Sequence, residues 1–241
     1  MARLVGLDLM RPVASPGGEA AIQIEARRLG QLACAGLRVP MVLAQTDTAL
    51  LLSDLSSCTT TRADDQASDS PSCPDVDGID PAAGLTLERA LDEARGKDLQ
   101  SLLPLWQRGL TAITDLHARG QFLSQAFARN MVCCPDGVIG FLDFEDDPAE
   151  SLPFAHCQAR DWLSYAHSTA ARIESVSPDA AIAAWRAALD QGQEAVRSSL
   201  RQAAQRMGWL AHLPAGRRWG RDTQQVRAAA RLLVQWRRDR E

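Results

Sequence analysis

Apolar and polar positions follow two different periods along this chain, and the changes of period divide it. In "EAAIQIEARRLGQLACAG" (19–36), Ile22, Ala26, Leu29 and Leu32 fall on one stripe at helical spacing and Gly36 stands as a stop signal, so a helix is predicted. Ahead of it, "ARLVGLDLM" has the length and apolar content of one strand, and "RPVASPGG" reads as a Pro/Gly-rich loop. Behind it, "RVPMVLAQTDTALLLSDL" reads as two strands around a polar turn. From Ser56 to about Gly84 the chain is dense in Ser, Thr, Asp, Pro and Gly and has no apolar period, which predicts a flexible insertion or linker.

The remainder is helical by pattern. "LTLERALDEAR" is followed by an element over 97–119 in which Leu99, Leu102, Leu103, Trp106, Leu110, Ile113 and Leu116 recur at threes and fours. Pro104 inside it predicts a kink or a helix start. Then "ARNMVCCPDGVIGFLDFEDDP" (128–148) reads as two short strands joined by a Pro-Asp-Gly turn, with Asn130 entering and Asp143 leaving. Further helices are predicted near 155–171, 178–207 and 221–239. Trp106, Trp162, Trp185 and Trp236 sit in apolar helical patterns and are expected in the core, while Trp209 and Trp219 lie near turns. The expected class is α+β, with a small β half carrying one helix (1–55), a linker (56–84) and a helical half with one polar hairpin (85–241).

Composition narrows the function classes. A chain of 241 residues buries a full core, as one large domain or two lobes sharing a cleft. The net charge of -4 and pI near 5.6 make no general case for binding nucleic acid or an acidic membrane surface. No apolar run reaches the roughly 20 residues that span a bilayer. Asp8 interrupts the apolar start too early for a signal-peptide core, so a cytoplasmic location is expected. The six cysteines include no CxxC pair, which points to reduced thiols rather than a metal site. Adjacent Cys133 and Cys134 are expected on opposite faces of a strand.

The order of motifs adds a resemblance. A helix with an internal Glu25, two strands, a polar linker, a long helix ending "LHARG", a loop closing on Asn130, a hairpin and then "DFE" resembles the protein-kinase-like superfamily, especially its bacterial lipopolysaccharide-core and Kdo-type kinases. That resemblance implies a two-lobed fold with a reduced or truncated β N-lobe and a helical C-lobe. It also implies a serine/threonine-kinase-like use of ATP and Mg²⁺, with Asn130 as the metal-binding Asn of the catalytic loop and Asp143 as the D-F-G Asp. One carboxylate plus one amide oxygen is sufficient protein ligation for Mg²⁺, which keeps several waters. Glu25 resembles the helix Glu that pairs with the phosphate-binding Lys, or else is a solvent-facing carboxylate beside Arg27 and Arg28. His117 resembles the packing His of the "LHxxG" segment. Asp161 resembles the buried Asp that opens the next helix and holds the catalytic loop. Asp146 and Asp147 are expected as solvated turn acids.

The pattern departs from the family at two places. Five residues before Asn130, the catalytic-base position holds Gln125, and an amide cannot accept a proton as a carboxylate does. No Gly-rich loop and no Lys precede the first helix; Arg11 is the cation in that region, and "SPGG" at 15–18 reads as a turn and helix lead-in. Either the first strands of the lobe lie upstream of this chain or the lobe is degenerate. The expected function is an ATP/Mg²⁺-dependent phosphotransferase acting on a hydroxyl acceptor of sugar or lipopolysaccharide type. The alternative is an inactive pseudokinase that binds a protein partner.

Overall fold

The computed structural model describes residues 13, 16–56, 80–97, 99–123, 125–174 and 176–238. It is α+β and mostly helical, with two small antiparallel sheets. Helix α1 (Gly18–Cys34) buries Leu29 and Leu32, as its stripe predicts, with Ile22 and Ala26 half-buried. Its end is a Schellman cap: Gly36 (φ 74°) donates to the Ala33 carbonyl and Leu37 to that of Leu32. Strands β1 (Val42–Gln45) and β2 (Leu50–Leu52) form the first hairpin. Met41, Leu43 and Leu51 are exposed on it.

The strand expected near the N-terminus, Arg11, and residues 57–79 of the linker lie outside the described residues. The linker's far end is a correction. Ala82 is buried in the core, Asp80 pairs with Arg108 at 2.5 Å, and Gly84 donates to the Cys133 carbonyl. Residues 80–84 therefore belong to the packed body. Polar composition hid this, because the segment is held by its backbone and by one ion pair rather than by an apolar stripe.

Helices α2 (Leu87–Lys97) and α3 (Leu99–Ala118) follow, and α3 continues through Pro104. Its "LHARG" end is a second Schellman cap, with Gly120 (φ 67°) donating to His117 and Gln121 to Leu116. Strands β3 (Met131–Cys133) and β4 (Ile139–Phe141) pair with Met131 opposite Phe141 and Cys133 opposite Ile139. Both outer edges of this hairpin are held: Cys133 N–H donates to the Leu85 carbonyl, and Phe141 N–H to that of Arg38. Cys133 faces the main core while Cys134 packs with Leu55 and Val132, the opposite faces that strand alternation requires. Burial pushes the Cys133 thiol up to about 11.

Helix α4 (Phe154–Ile173) runs through the centre of the helical layer against α3, α6 (Glu194–Met207) and α7 (Gly220–Arg238), and α5 (Pro178–Asp190) packs on α3. The single helix expected over 178–207 is thus two, broken at Gln191-Gly192-Gln193 by a turn in which Gly192 N–H caps the Leu189 carbonyl. Trp106, Trp162, Trp185 and Trp236 are all buried, as expected. Gly109 makes room for the core: a Cβ there would lie 2.2 Å from the Tyr165 hydroxyl, which donates to the Trp106 carbonyl at 2.6 Å. Among the described residues no helix is long and apolar enough to cross a membrane.

Candidate functional site

The sequence places Asn130 and Asp143 thirteen residues apart, and the β3–β4 register returns them to the same open end of one hairpin. Asn130 closes a 3-10 turn (Ala128–Asn130) just before β3, and its carbonyl accepts the Leu142 N–H. Its side-chain amide donates to Asp143 Oδ2 at 2.9 Å and to the Gln125 carbonyl at 3.3 Å. Both N–H groups are thereby committed to acceptors, which orients the amide oxygen away from them. Asp143 has φ 70°, the one non-glycine residue in the left-handed region among those described. A backbone of that kind costs roughly 1 kcal/mol or more and persists where surrounding contacts over-determine it.

Helix α1 presents Glu25 to the same place. Burial, reinforced by the Glu145 and Asp143 carboxylates, pushes the Glu25 carboxyl above its ordinary value, and a hydrogen bond from the Phe144 backbone opposes the shift. Glu25 is therefore half-buried against the "DFE" segment, not a solvent-facing partner of its neighbours on α1. Arg27 and Arg28 have separate tasks. Arg27 pairs with Asp147 at 3.0 Å. Arg28 is buried, donates to the Phe122 carbonyl at 2.6 Å and lies 4.3 Å from the Phe122 ring centroid.

Gln125 is half-buried, and its amide lies 3.3 Å from Asp146 Oδ2. Asp146 is only 7% exposed, so the expectation that it is a solvated turn acid is corrected: the chain turns it inward, where Gln125 donates to it. Asp147 also has a definite role, capping the Pro148–Glu150 turn by accepting the Ala149 N–H.

The loop between α3 and β3 hangs on one face of α4. Asp161 Oδ2 accepts from His117 Nε2 and from the Leu123 N–H, both at 2.9 Å. Gln158 donates to the His117 and Gln121 carbonyls, and Ser168 Oγ accepts the Ala128 N–H. Asp161 lies two turns inside α4, so it does not open the helix as expected, although it does hold the loop. Gln158 and Ser168 escaped sequence reading. Their signal is polar side chains at 158, 161 and 168 on an otherwise Ala- and aromatic-rich helical face.

Among the described residues no three His, Cys, Asp or Glu side chains converge as a self-sufficient metal site. The donors at the hairpin's open end are one carboxylate and one amide oxygen, with Glu25 and Glu145 adding negative charge nearby. That set suits a hard cation completed by water and by an oxygen-rich ligand. The chain matches no family model, and no curated protein or solved structure matches it.

Proposed function

We propose that the open end of the β3–β4 hairpin is a Mg²⁺–nucleotide site, and that the chain is a bacterial, protein-kinase-like phosphotransferase moving the γ-phosphoryl of ATP to a hydroxyl acceptor of sugar or lipopolysaccharide type. The observation that carries the reading is Asp143, held at φ 70° and bonded by Asn130, with the Glu25 and Glu145 carboxylates adding negative charge nearby. Local strain and concentrated negative charge at one point are features of functional sites. In this reading α1 with β1–β2 is a reduced N-lobe, the helices form the C-lobe, and an ATP-dependent chain works in the cytoplasm.

Asn130 and Asp143 would hold Mg²⁺, which when bound neutralises charge on the transferring phosphoryl group. Gln125 orients the acceptor hydroxyl by hydrogen bonding, with Asp146 fixing its amide. Asn130 adds rigidity by tying the Gln125 carbonyl to the same amide that meets Asp143. Asp161 and His117 keep the loop that carries Gln125 in place.

A second reading, a pseudokinase that binds nucleotide or a protein partner without turnover, is favoured by Gln125 itself. It is also favoured by the charge around Glu25, whose strongest electrostatic neighbours are acids. The chain's one lysine, Lys97, stands at the end of α2.

A thermal-shift titration with ATP, with and without Mg²⁺, read beside release of the γ-phosphate, separates these. Ligand at 100 times its Kd adds about 2.7 kcal/mol to the native state. A Mg²⁺-dependent rise abolished by Asp143→Ala, with turnover, supports the phosphotransferase. The same rise without turnover supports the binding module. No rise at millimolar nucleotide removes the metal reading of the hairpin.

A further inference from the structure

The overall charge of -4 conceals a sharp division. Residues 195–241 hold eleven arginines against three acids, whereas the preceding 194 residues hold 27 acids against 15 bases. A local excess of this kind sets a field that the net charge does not reveal.

Part of that excess lines a cavity. Between the 3-10 turn Gly208–His212 and α7 runs an open groove of about 550 Å³, within the range of small-molecule sites. Arg227, Arg231 and Arg238 of α7 reach it at spacings of four and seven residues, so they form a stripe on one helix face, and His212 faces them from the turn. Leu213 and Val234 supply apolar wall, and among the described residues no carboxylate lines the groove. The opposite face of α7 is spent on the core through Ala229, Leu232, Leu233 and Trp236.

Arg231 pairs with Glu174 at 2.9 Å. Arg227, Arg238 and His212 make no hydrogen bond or ion pair with any described residue. Arginines four apart on a helix repel one another, and a stripe of them is stabilised by an anion. The guanidinium fork matches phosphate oxygens two at a time. Arg227 and Arg238 are eleven residues apart, on the order of 16 Å along the axis, so a single phosphate does not span them. Trp209 lies within the groove's turn and Trp219 ends the next 3-10 turn (Arg217–Trp219); they are 58% and 49% exposed. Amphipathic rings beside arginines are the composition of surfaces that rest at a lipid headgroup layer.

We propose that this groove binds a ligand carrying more than one phosphate group, with Arg227 and Arg238 as its two ends, and that the phosphates are presented by an anionic lipid surface. The site is separate from the hairpin site, and the proposal does not depend on how that site is read.

Its test uses the full chain at low ionic strength with two probes: tripolyphosphate, and phosphatidylglycerol vesicles beside phosphatidylcholine vesicles. The expected result is binding of phosphatidylglycerol but not phosphatidylcholine vesicles, reversed by salt. It should weaken at least about tenfold in Arg227→Gln with Arg238→Gln. Those two side chains have no hydrogen-bond or ion-pair partner among the described residues, so the double variant keeps its melting temperature. Trp219→Ser should weaken vesicle binding and leave tripolyphosphate binding intact. Tripolyphosphate binding without vesicle binding moves the source from lipid to a free ligand and overturns the lipid assignment. Failure of both probes, or binding that ignores the two arginines, overturns the site itself. A single-stranded oligonucleotide that outcompetes the vesicles would instead assign the stripe to nucleic acid.

Discussion

Oδ2 of Asp161 accepts two hydrogen bonds at once, from His117 Nε2 and from the Leu123 amide, each at 2.9 Å, with Asp161 fully buried. One carboxylate oxygen thus joins the end of α3, the loop that leads to Gln125 and the middle of α4. Removing it leaves two buried donors without an acceptor. Asp161→Ala is expected to cost about 3–5 kcal/mol, and Asp161→Asn less, because its amide oxygen keeps one acceptor. Urea midpoints at an unchanged slope measure this; an Ala variant within about 0.5 kcal/mol of wild type would show that the junction is held by packing alone.

Asp143 carries backbone strain as well as the carboxylate proposed to bind Mg²⁺, and two substitutions separate the strain from the carboxylate. Both glycine and alanine lose the Asn130 bond, but glycine adopts φ 70° without steric cost whereas alanine retains the strain. Asp143→Gly is therefore expected to be more stable than Asp143→Ala by about 1 kcal/mol, the reverse of the order found in a helix or strand. Both should lose any Mg²⁺-dependent response to ATP. Equal stability of the pair would mean that the loop relaxes to negative φ once the carboxylate is gone.

Glu25 makes stability depend on pH in a direction unusual for a carboxylate. Burial first, then the Glu145 and Asp143 charges, raise its folded value above 4.5, so the folded chain binds the proton more tightly than the unfolded one. That contribution is fully present below the ordinary value and is lost as pH rises through the raised one. Glu25→Gln, which keeps an acceptor for the Phe144 amide, should melt above wild type at neutral pH, with the gap closing below about pH 4.5. A gap that persists into acid would trace the effect to packing rather than charge.

Gln125 and Asp146 exchange a hydrogen bond that works equally well with the groups swapped. Gln125→Glu alone sets two carboxylates side by side, whereas Gln125→Glu with Asp146→Asn keeps one amide and one acid in contact at unchanged side-chain lengths. If the hairpin holds Mg²⁺–ATP, the double variant should raise phosphoryl transfer by about 10²–10⁴-fold, the usual yield of a positioned general base. Unchanged turnover with nucleotide still bound would place the limiting defect elsewhere, with the missing phosphate-binding Lys the first candidate.

Several of these relationships could be read from local sequence because they are made locally. Gly36 and Gly120 end α1 and α3 through left-handed caps, and the "LHARG" ending is explained by that geometry without reference to function. The Pro-Asp-Gly turn set the β3–β4 register, and the register alone returns Asn130 to Asp143. Helical spacing identified the buried tryptophans. The failures also share a cause. The pattern over 178–207 runs unbroken past Gly192, and polar composition disguised the packed segment 80–84.

Tertiary structure decided what composition averages away. Asp146 turned inward because Gln125, twenty-one residues earlier, offers it a donor; Asp161 became a junction because α3 and α4 cross there. Arg227, Arg231 and Arg238 came to line one groove because α7 spends its other face on the core. Sequence by itself determined the elements, their caps and the hairpin's register, since these depend on neighbours within a few residues. Which acids are buried, which cations stay unpaired and where charge accumulates depend on which faces the core consumes, and only the packed chain settles that.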